Sequence, residues 1–149
     1  MDDDSGYFIL HTQMIKCLQD DLIDILGEDI TSSVLFRFGF KSGSKTSENM
    51  GLRAYGNGAI DYFEEIWMQS GVGRTLSCEE VDGGFQIVME ETIESMHEGK
   101  GCDFTRGFIS GVITQMTGLP YYCEEEKCVS RGDDRCVFRV KEDGSEESE

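Results

Sequence analysis

The stretch "CEEEKCVSRGDDRC", residues 123–136, constrains the fold of this chain more than any other stretch. Cys128 and Cys136 stand at the two ends of the segment Ser130–Asp134, whose Ser, Gly and Asp residues are typical of a tight turn. An antiparallel hairpin with this turn at its tip would bring the two sulfur atoms close together. The sequence therefore predicts a local pair of thiols near the C-terminus.

Further groups could join this pair. Cys102 lies just before Asp103, at the predicted start of a helix, where unpaired helix amides stabilise a thiolate. The fourth group is ambiguous, because Cys123 and Glu125 share one face of an ideal strand. Cys128 would need a bulge or the end of the strand to join them. Zinc's preference for sulfur favours Cys123, but the spacing leaves both residues open.

The cysteine pattern has three interpretations: a metal site, a disulfide or thiol switch between Cys128 and Cys136, and buried inert thiols. The N-terminus has neither the basic region nor the long apolar core of a signal peptide, so we expect a cytoplasmic protein with reduced thiols. Metal or redox chemistry is then favoured. A site filled by four protein ligands would be structural, since it leaves no position for water. We expect Cys17 and Cys78 to be small buried hydrophobic residues.

Length and charge narrow the classes of protein further. The 149 residues suit one domain, which we place at residues 1–141, followed by an acidic disordered tail at 142–149. The net charge of -17 would repel phosphate backbones and anionic lipids. No run approaches the roughly 18 apolar residues of a membrane span. We therefore expect a soluble protein that contacts neither nucleic acid nor membrane directly.

Periodicity predicts an α+β fold, in which an antiparallel four-stranded sheet packs with about four helices. The predicted helices cover residues 7–26, Asp29 or Thr31 to Gly43, a segment from an Asn57 cap to about Gly71, and Asp103 to Gly118. The predicted hairpins cover residues 74–92, with a turn at Asp82-Gly83-Gly84, and strands 119–129 and 135–141. Gly39 and Gly43 cost helix stability, so we expect them to allow close packing against another backbone.

The stretch "GCDFTRGFISGVITQMTGLPYYCEEEKCVSRGDDRCVFRV", residues 101–140, resembles the 4-vinyl reductase domain family. A Cys, a glycine- and aromatic-rich helix, Glu-x-x-Cys and Gly-Asp-x-x-Cys-x-Phe follow in the family's order, and a looser likeness extends back to residue 26. The resemblance implies a fold similar to that of the vesicle-tethering TRAPP subunits. Because the family includes aromatic-sensing domains of phenol-responsive activators, it also implies zinc held by Cys102, Glu125, Cys128 and Cys136. Cys123 remains an alternative metal or redox residue.

This resemblance favours a small-molecule-binding sensor domain whose zinc site holds the C-terminal hairpin and which binds an apolar or aromatic ligand. The alternatives are a redox sensor, in which Cys123 pairs with Cys128 or Cys102 and zinc is released, and an assembly module without a ligand. Aromatic residues on the third and fourth helices and at the start of the last hairpin could line a pocket, or could be ordinary core. They are Phe63, Trp67, Phe104, Phe108 and Tyr121.

The sequence does not favour an enzyme. Gly71-x-Gly73 lacks the third glycine of a dinucleotide fingerprint, there is no Gly-x-Ser-x-Gly, and the two histidines form no motif. With no attached effector domain, a sensed signal would need a protein partner or an oligomer. We expect a homodimer, because the small-residue face of the second helix and the candidate aromatic residues need burial.

Overall fold

A computed structural model describes residues 11–52, 63–96 and 101–143. In chain order these residues form α1 (Thr12–Leu26), α2 (Glu28–Met50), α3 (Phe63–Ser70), β1 (Arg74–Val81), β2 (Gly84–Glu90), α4 (Asp103–Thr117), β3 (Tyr121–Lys127) and β4 (Cys136–Glu142). Short 3-10 turns follow β2 at Glu94–Met96 and β3 at Val129–Arg131. The predicted α+β class, with four helices and one antiparallel four-stranded sheet, is confirmed. Within the three ranges, no helix is long and apolar enough to cross a membrane.

The helices begin and end close to the predicted signals, with one clear difference. α2 runs to Met50, beyond the expected end at Gly43, because its glycines are accommodated by packing. Gly118 ends α4 in the left-handed conformation, as its position predicts. Residues 7–10, the Asn57 cap and tail residues 144–149 lie outside the described residues.

The four strands pair in the order β1-β2-β4-β3, and every pair is antiparallel. Alternate residues of the two central strands form a buried apolar face, as period-two alternation requires. Ile87 on β2 pairs with Phe138 on β4 at its centre, and both are fully buried. The register of β3 against β4 shifts between Glu125 and Lys127. Both predicted hairpins are therefore present, and β3 carries an irregularity beside Glu125.

Helices α2 and α4 pack with their backbones in close contact, at two glycines on each helix. A methyl group at Gly39 or Gly43 would overlap the carbonyl oxygens of Phe104 and Phe108, respectively. Gly107 and Gly111 on α4 face the carbonyl oxygens of Phe36 and Phe40 in the same way. The predicted close approach is confirmed, and it occurs within the chain. The small-residue face of α2 is thus not a surface for a second copy.

We predict that Gly43→Ala destabilises the protein by about 1–3 kcal/mol, although alanine is the better helix former. The added methyl group would push α4 away from α2 at the Phe108 carbonyl. Chemical denaturation of Gly43→Ala and of the exposed control Ser33→Ala would measure the difference. Equal stability of the two variants would contradict this account of the helix pair.

Candidate metal centre

Four side chains converge where the N-terminus of α4 meets the last hairpin. Cys102 occupies the N-cap position of α4, Glu125 lies beside the irregularity in β3, Cys128 follows β3, and Cys136 is the first residue of β4. One possible ligand atom from each residue lies within 4.8 Å of all the others. The shift in β3 allows Glu125 and Cys128 to reach the same point. The four residues implied by the family resemblance are therefore the ones that the structure brings together.

The geometry of this cluster fits a tetrahedral metal site. Zinc–sulfur bonds of about 2.3 Å place the sulfur atoms of such a site roughly 3.8 Å apart. The Sγ atoms of Cys102 and Cys128 are 3.7 Å apart, far beyond a disulfide bond length. The second carboxylate oxygen of Glu125, Oε2, is buried and has no hydrogen-bond partner. The cluster could therefore hold a metal ion, and an ion would give this oxygen the partner it lacks.

Burial and mutual hydrogen bonds strongly perturb the ionisable groups of the cluster. The pKa of Cys136 is lowered to about 3, because the thiols of Cys102 and Cys128 donate to its sulfur. The pKa of Cys102 is raised by the same sulfur contacts and by burial. Burial, followed by the neighbouring Cys128 sulfur, raises the pKa of Glu125 to about 7. The protein alone thus holds mostly protonated groups around one anionic sulfur, where a cation would stabilise the remaining anions.

Two hydroxyl groups fix the sulfur atoms in place. Ser130 Oγ lies 2.9 Å from Cys128 Sγ and accepts a hydrogen bond from the Gly101 N–H at 3.0 Å. Because a hydroxyl has one proton, Ser130 can then donate it to the Cys128 sulfur. Thr92 Oγ1 lies 3.3 Å from Cys102 Sγ. Such contacts orient ligand atoms and stabilise thiolates.

Backbone amides and a nearby cation contribute further contacts to the cluster. The Cys102 N–H donates to Glu125 Oε1 at 3.2 Å, and the Val129 N–H donates to Cys136 Sγ at 3.5 Å. The exposed guanidinium of Arg131 lies 3.7 Å from the same Glu125 oxygen. One oxygen of this carboxylate is therefore held in place while the other remains available.

Sequence reasoning missed Glu94, which holds the N-terminus of α4. Glu94 is almost fully buried, and its carboxylate accepts from the Phe104 N–H at 2.6 Å and from the Thr105 N–H and hydroxyl at 2.9 and 2.7 Å. Asp103, the expected cap, is instead the first residue of α4 and pairs with Arg106. No local pattern could reveal this, because the capping carboxylate comes from outside the spacing of a capping box.

The other cysteines lie elsewhere. Cys123 is fully buried on β3 but does not belong to the cluster, and burial raises its pKa well above the usual range. Cys17 is exposed on α1 and Cys78 is half-buried on β1, so the expectation that both are buried was wrong. Both lie towards the edges of the fold, which spacing alone could not show. All six cysteines are free thiols, so the alternative of a Cys128–Cys136 disulfide is not met.

The five candidate pocket residues separate into two groups. Phe63, Trp67 and Phe108 are buried, and the Trp67 ring lies 5.5 Å from Phe63 and 5.6 Å from Phe108 between centroids. Among the described residues, the indole Nε1 of Trp67 has no hydrogen-bond partner. Phe104 and Tyr121 are half-buried and pack against the edge of this core.

Comparison with known families agrees with this geometry. Residues 86–142 match the model of the 4-vinyl reductase domain, and residues 3–75 match the model described as "Activator of aromatic catabolism". Fold and cluster thus define a class of α+β domains with a cysteine-rich site that could hold a metal. Within that class, the chain belongs to the 4-vinyl reductase domain family, and the resemblance seen in the sequence is confirmed.

Solved structures with the same fold come from proteins of different kinds. The phenol-responsive sensory domain of the transcription activator PoxR, solved with phenol, aligns with a TM-score of 0.77 and 21% identity, over 93% of this chain and 77% of that one. A vinyl-4-reductase family protein from Methanocaldococcus jannaschii gives a TM-score of 0.61 and 18% identity, over 93% and 84%. A trafficking protein particle complex subunit 3 from Naegleria fowleri, covalently bound to palmitic acid, gives 0.61 and 17%, over 88% and 94%. No curated protein matches the sequence significantly.

We predict that Ser130→Ala lowers the stability of the metal-free protein by about 1–3 kcal/mol, because it leaves the buried Gly101 N–H without an acceptor. Urea unfolding in the presence of a chelator would measure this loss. Ser33→Ala on the exposed face of α2 is the control. If Ser130→Ala unfolds at the same urea concentration as the control, Ser130 does not hold the Gly101 segment to the hairpin.

Proposed function

We propose that this chain is a non-enzymatic sensor domain that binds a small apolar or aromatic molecule, and that a structural zinc ion fastens its last hairpin to α4. One observation carries the proposal: α4 holds Cys102 of the cluster at its start and, two turns later, Phe108 of the aromatic core. The metal would therefore fix the helix that supports the ligand site. The similarity to a phenol-responsive sensory domain supports the same function.

Zinc is the metal that these donors suit best. Three thiolates and one carboxylate form a tetrahedral, sulfur-rich set, which Zn²⁺ accepts and harder cations such as Mg²⁺ do not. With four protein ligands the ion would have no open position, so its role would be structural. Thiolate ligands must also stay reduced, which is consistent with a cytoplasmic location.

The metal assignment predicts that the wild-type chain binds one zinc per chain and that Glu125→Gln lowers the zinc affinity at least tenfold. The amide keeps the shape of the side chain but loses the charge that a cation requires. Titration against a chromogenic chelator would measure the affinities. Two controls separate the alternatives: Glu124→Gln, at the adjacent exposed position, and Cys123→Ala, at the competing fourth ligand.

Both control variants should bind zinc as the wild type does. A loss of affinity in Cys123→Ala but not in Glu125→Gln would assign the fourth ligand to Cys123 and reject our choice. A wild-type chain with no affinity for zinc would reject the metal site itself.

The orphaned indole of Trp67 suggests where a ligand binds. A buried donor without an acceptor costs about 1–3 kcal/mol, and a ligand oxygen would remove this cost. Phe63 and Phe108 flank the indole and offer aromatic surface for a ring. A phenol-like molecule combines these two properties, and it is the ligand of the PoxR domain. The candidate lining of Phe63, Trp67, Phe104, Phe108 and Tyr121 therefore remains our proposal.

The ligand proposal predicts a different effect of Trp67→Phe on two ligands of similar size. The variant should bind phenol about tenfold more weakly, because it lacks the N–H donor. It should bind toluene, which has no hydroxyl group, with nearly unchanged affinity. Isothermal titration calorimetry of both proteins with both ligands would test this. Equal losses for phenol and toluene would mean that Trp67 acts through packing alone, and failure of the wild type to bind either ligand would reject the proposal.

The competing functions receive less support. The redox alternative needs Cys123 beside the metal thiolates, and Cys123 lies outside the cluster, so we do not propose it. A ligand-free assembly module would leave the Trp67 donor unexplained. We retain one domain at residues 1–141 and a signal passed through a protein partner or an oligomer.

A further inference from the structure

The two N-terminal helices expose an apolar face, which we call the α1/α2 face. Of the eleven large apolar side chains that are exposed in the described part of the chain, seven belong to these helices. They are Met14, Leu18, Ile25 and Leu26 on α1, and Ile30, Val34 and Phe38 on α2. Contiguous apolar surface of this kind usually marks an interaction site.

On α2, the exposed apolar stripe is separate from the stripe that packs against α4. Ile30, Val34 and Phe38 repeat every four residues and are 55%, 40% and 57% exposed. The buried stripe, which includes Leu35 and Gly39, is offset from them by one residue. The packing of α2 within the chain therefore leaves the Ile30–Phe38 stripe without a partner among the described residues.

We propose that a second copy of this chain covers the α1/α2 face, with the two α2 helices antiparallel and a two-fold axis near Val34. In this arrangement Ile30 of one copy faces Phe38 of the other, and Val34 meets its own counterpart. A two-fold interface must be self-complementary in this way. The stripe satisfies that requirement, because its central residue is apolar and its two ends are equivalent in character.

The charges that flank the stripe favour a second copy over another acidic or basic protein. Glu28 and Asp29 precede the stripe, whereas Arg37 and Lys41 lie at its far end, and all four are exposed. Antiparallel pairing places the acidic end of one α2 beside the basic end of the other. An interface with one uniformly charged partner would satisfy only one of these ends. In a chain with net charge -17, this local balance of charge is specific to the face.

The size of the face also suits a dimer. At 1.5 Å per residue, α1 and α2 are about 22 and 34 Å long, and each is about 10 Å wide. Their combined footprint is roughly 500–600 Å², and its accessible area approaches the approximately 800 Å² per partner of standard interfaces. The face is therefore large enough for a stable association of two copies.

A recess in this face offers a place for side chains of the second copy. It has a volume of about 200 Å³ and lies between α1, α2 and the start of α4. Its apolar lining is Ile15, Leu18, Leu35, Phe38, Ile93 and Phe104. Leu18 and Phe38 belong to the α1/α2 face, so a second copy seated on that face also closes the recess. The inference depends on neither the metal nor the ligand proposed above.

Cysteine cross-linking would test the position of the two-fold axis. In a Cys17→Ser background, which removes the exposed native thiol, Val34→Cys places a thiol on the axis. We expect oxidised glutathione to join two such chains into a disulfide-linked dimer at micromolar concentration. Met68→Cys, at a residue 63% exposed on α3, is the matched control and should remain monomeric on a non-reducing gel. Equal cross-linking at the two positions would overturn the proposed geometry.

Sedimentation equilibrium would test the interface without cross-linking. We expect the wild type to be a dimer, Val34→Asp to weaken dimerisation at least 100-fold, and Met68→Asp to leave it unchanged. Glu28→Lys and Lys41→Glu should each weaken the dimer, and the double variant should recover most of the loss. A wild type that remains monomeric at tens of micromolar, with a folded circular dichroism spectrum, would overturn the proposal. A dimer that Val34→Asp leaves intact would do so too, because it must use another face.

Discussion

The close packing of α2 against α4 determines where everything else in this domain lies. Four glycines allow the two backbones to approach each other, and larger residues at those positions would overlap carbonyl oxygens of the opposite helix. Each glycine loses helix propensity, roughly 1 kcal/mol against alanine, and this loss is offset by contact along the helices. Because α4 cannot move away from α2, its N-terminus and its aromatic side chains have fixed positions.

The fixed N-terminus of α4 explains why the cysteine cluster can form across such different parts of the chain. Glu94 satisfies the first amides of the helix from one side, while the Cys102 amide donates to Glu125 on the other. The helix start, the 3-10 turn before it and the last hairpin thus meet at one point. A metal bound there would add its binding free energy to folding, because the unfolded chain has no preformed site. It would also compensate for the buried carboxylate oxygen that lacks a donor.

The sequence was informative wherever a feature depended on neighbouring residues. The turn between Cys128 and Cys136, the hairpin at Gly83 and the end of α4 at Gly118 follow from local turn chemistry, and the structure has all three. The choice between Cys123 and Glu125 could not be made locally, because an ideal strand places both on one face. The irregularity after Glu125 is what brings this residue and Cys128 together, and it arises from pairing with β4.

Features that depend on distant contacts could not be predicted from the sequence. Glu94 looked like one of thirty acidic residues, and only the folded chain shows that its carboxylate holds α4. Gly39 and Gly43 correctly indicated close backbone packing, but the sequence could not show whether the partner was α4 or a second copy. The exposed stripe at Ile30, Val34 and Phe38 became distinct only when α4 was seen to occupy the neighbouring stripe.

The aromatic rings place the proposed ligand site and the proposed dimer face on the same helix pair. The Trp67 ring contacts Phe108, Phe108 lies 6.0 Å from Phe104, and Phe104 lies 5.2 Å from the exposed Phe38. Ring contacts alone do not establish coupling, which requires that the ligand bind one assembly state more tightly than the other. Where that difference exists, thermodynamic linkage makes it reciprocal, so dimerisation would raise ligand affinity by the factor by which ligand raises dimer affinity. A sensor without an effector domain of its own could report its ligand through this exchange, since the signal would be the assembly itself.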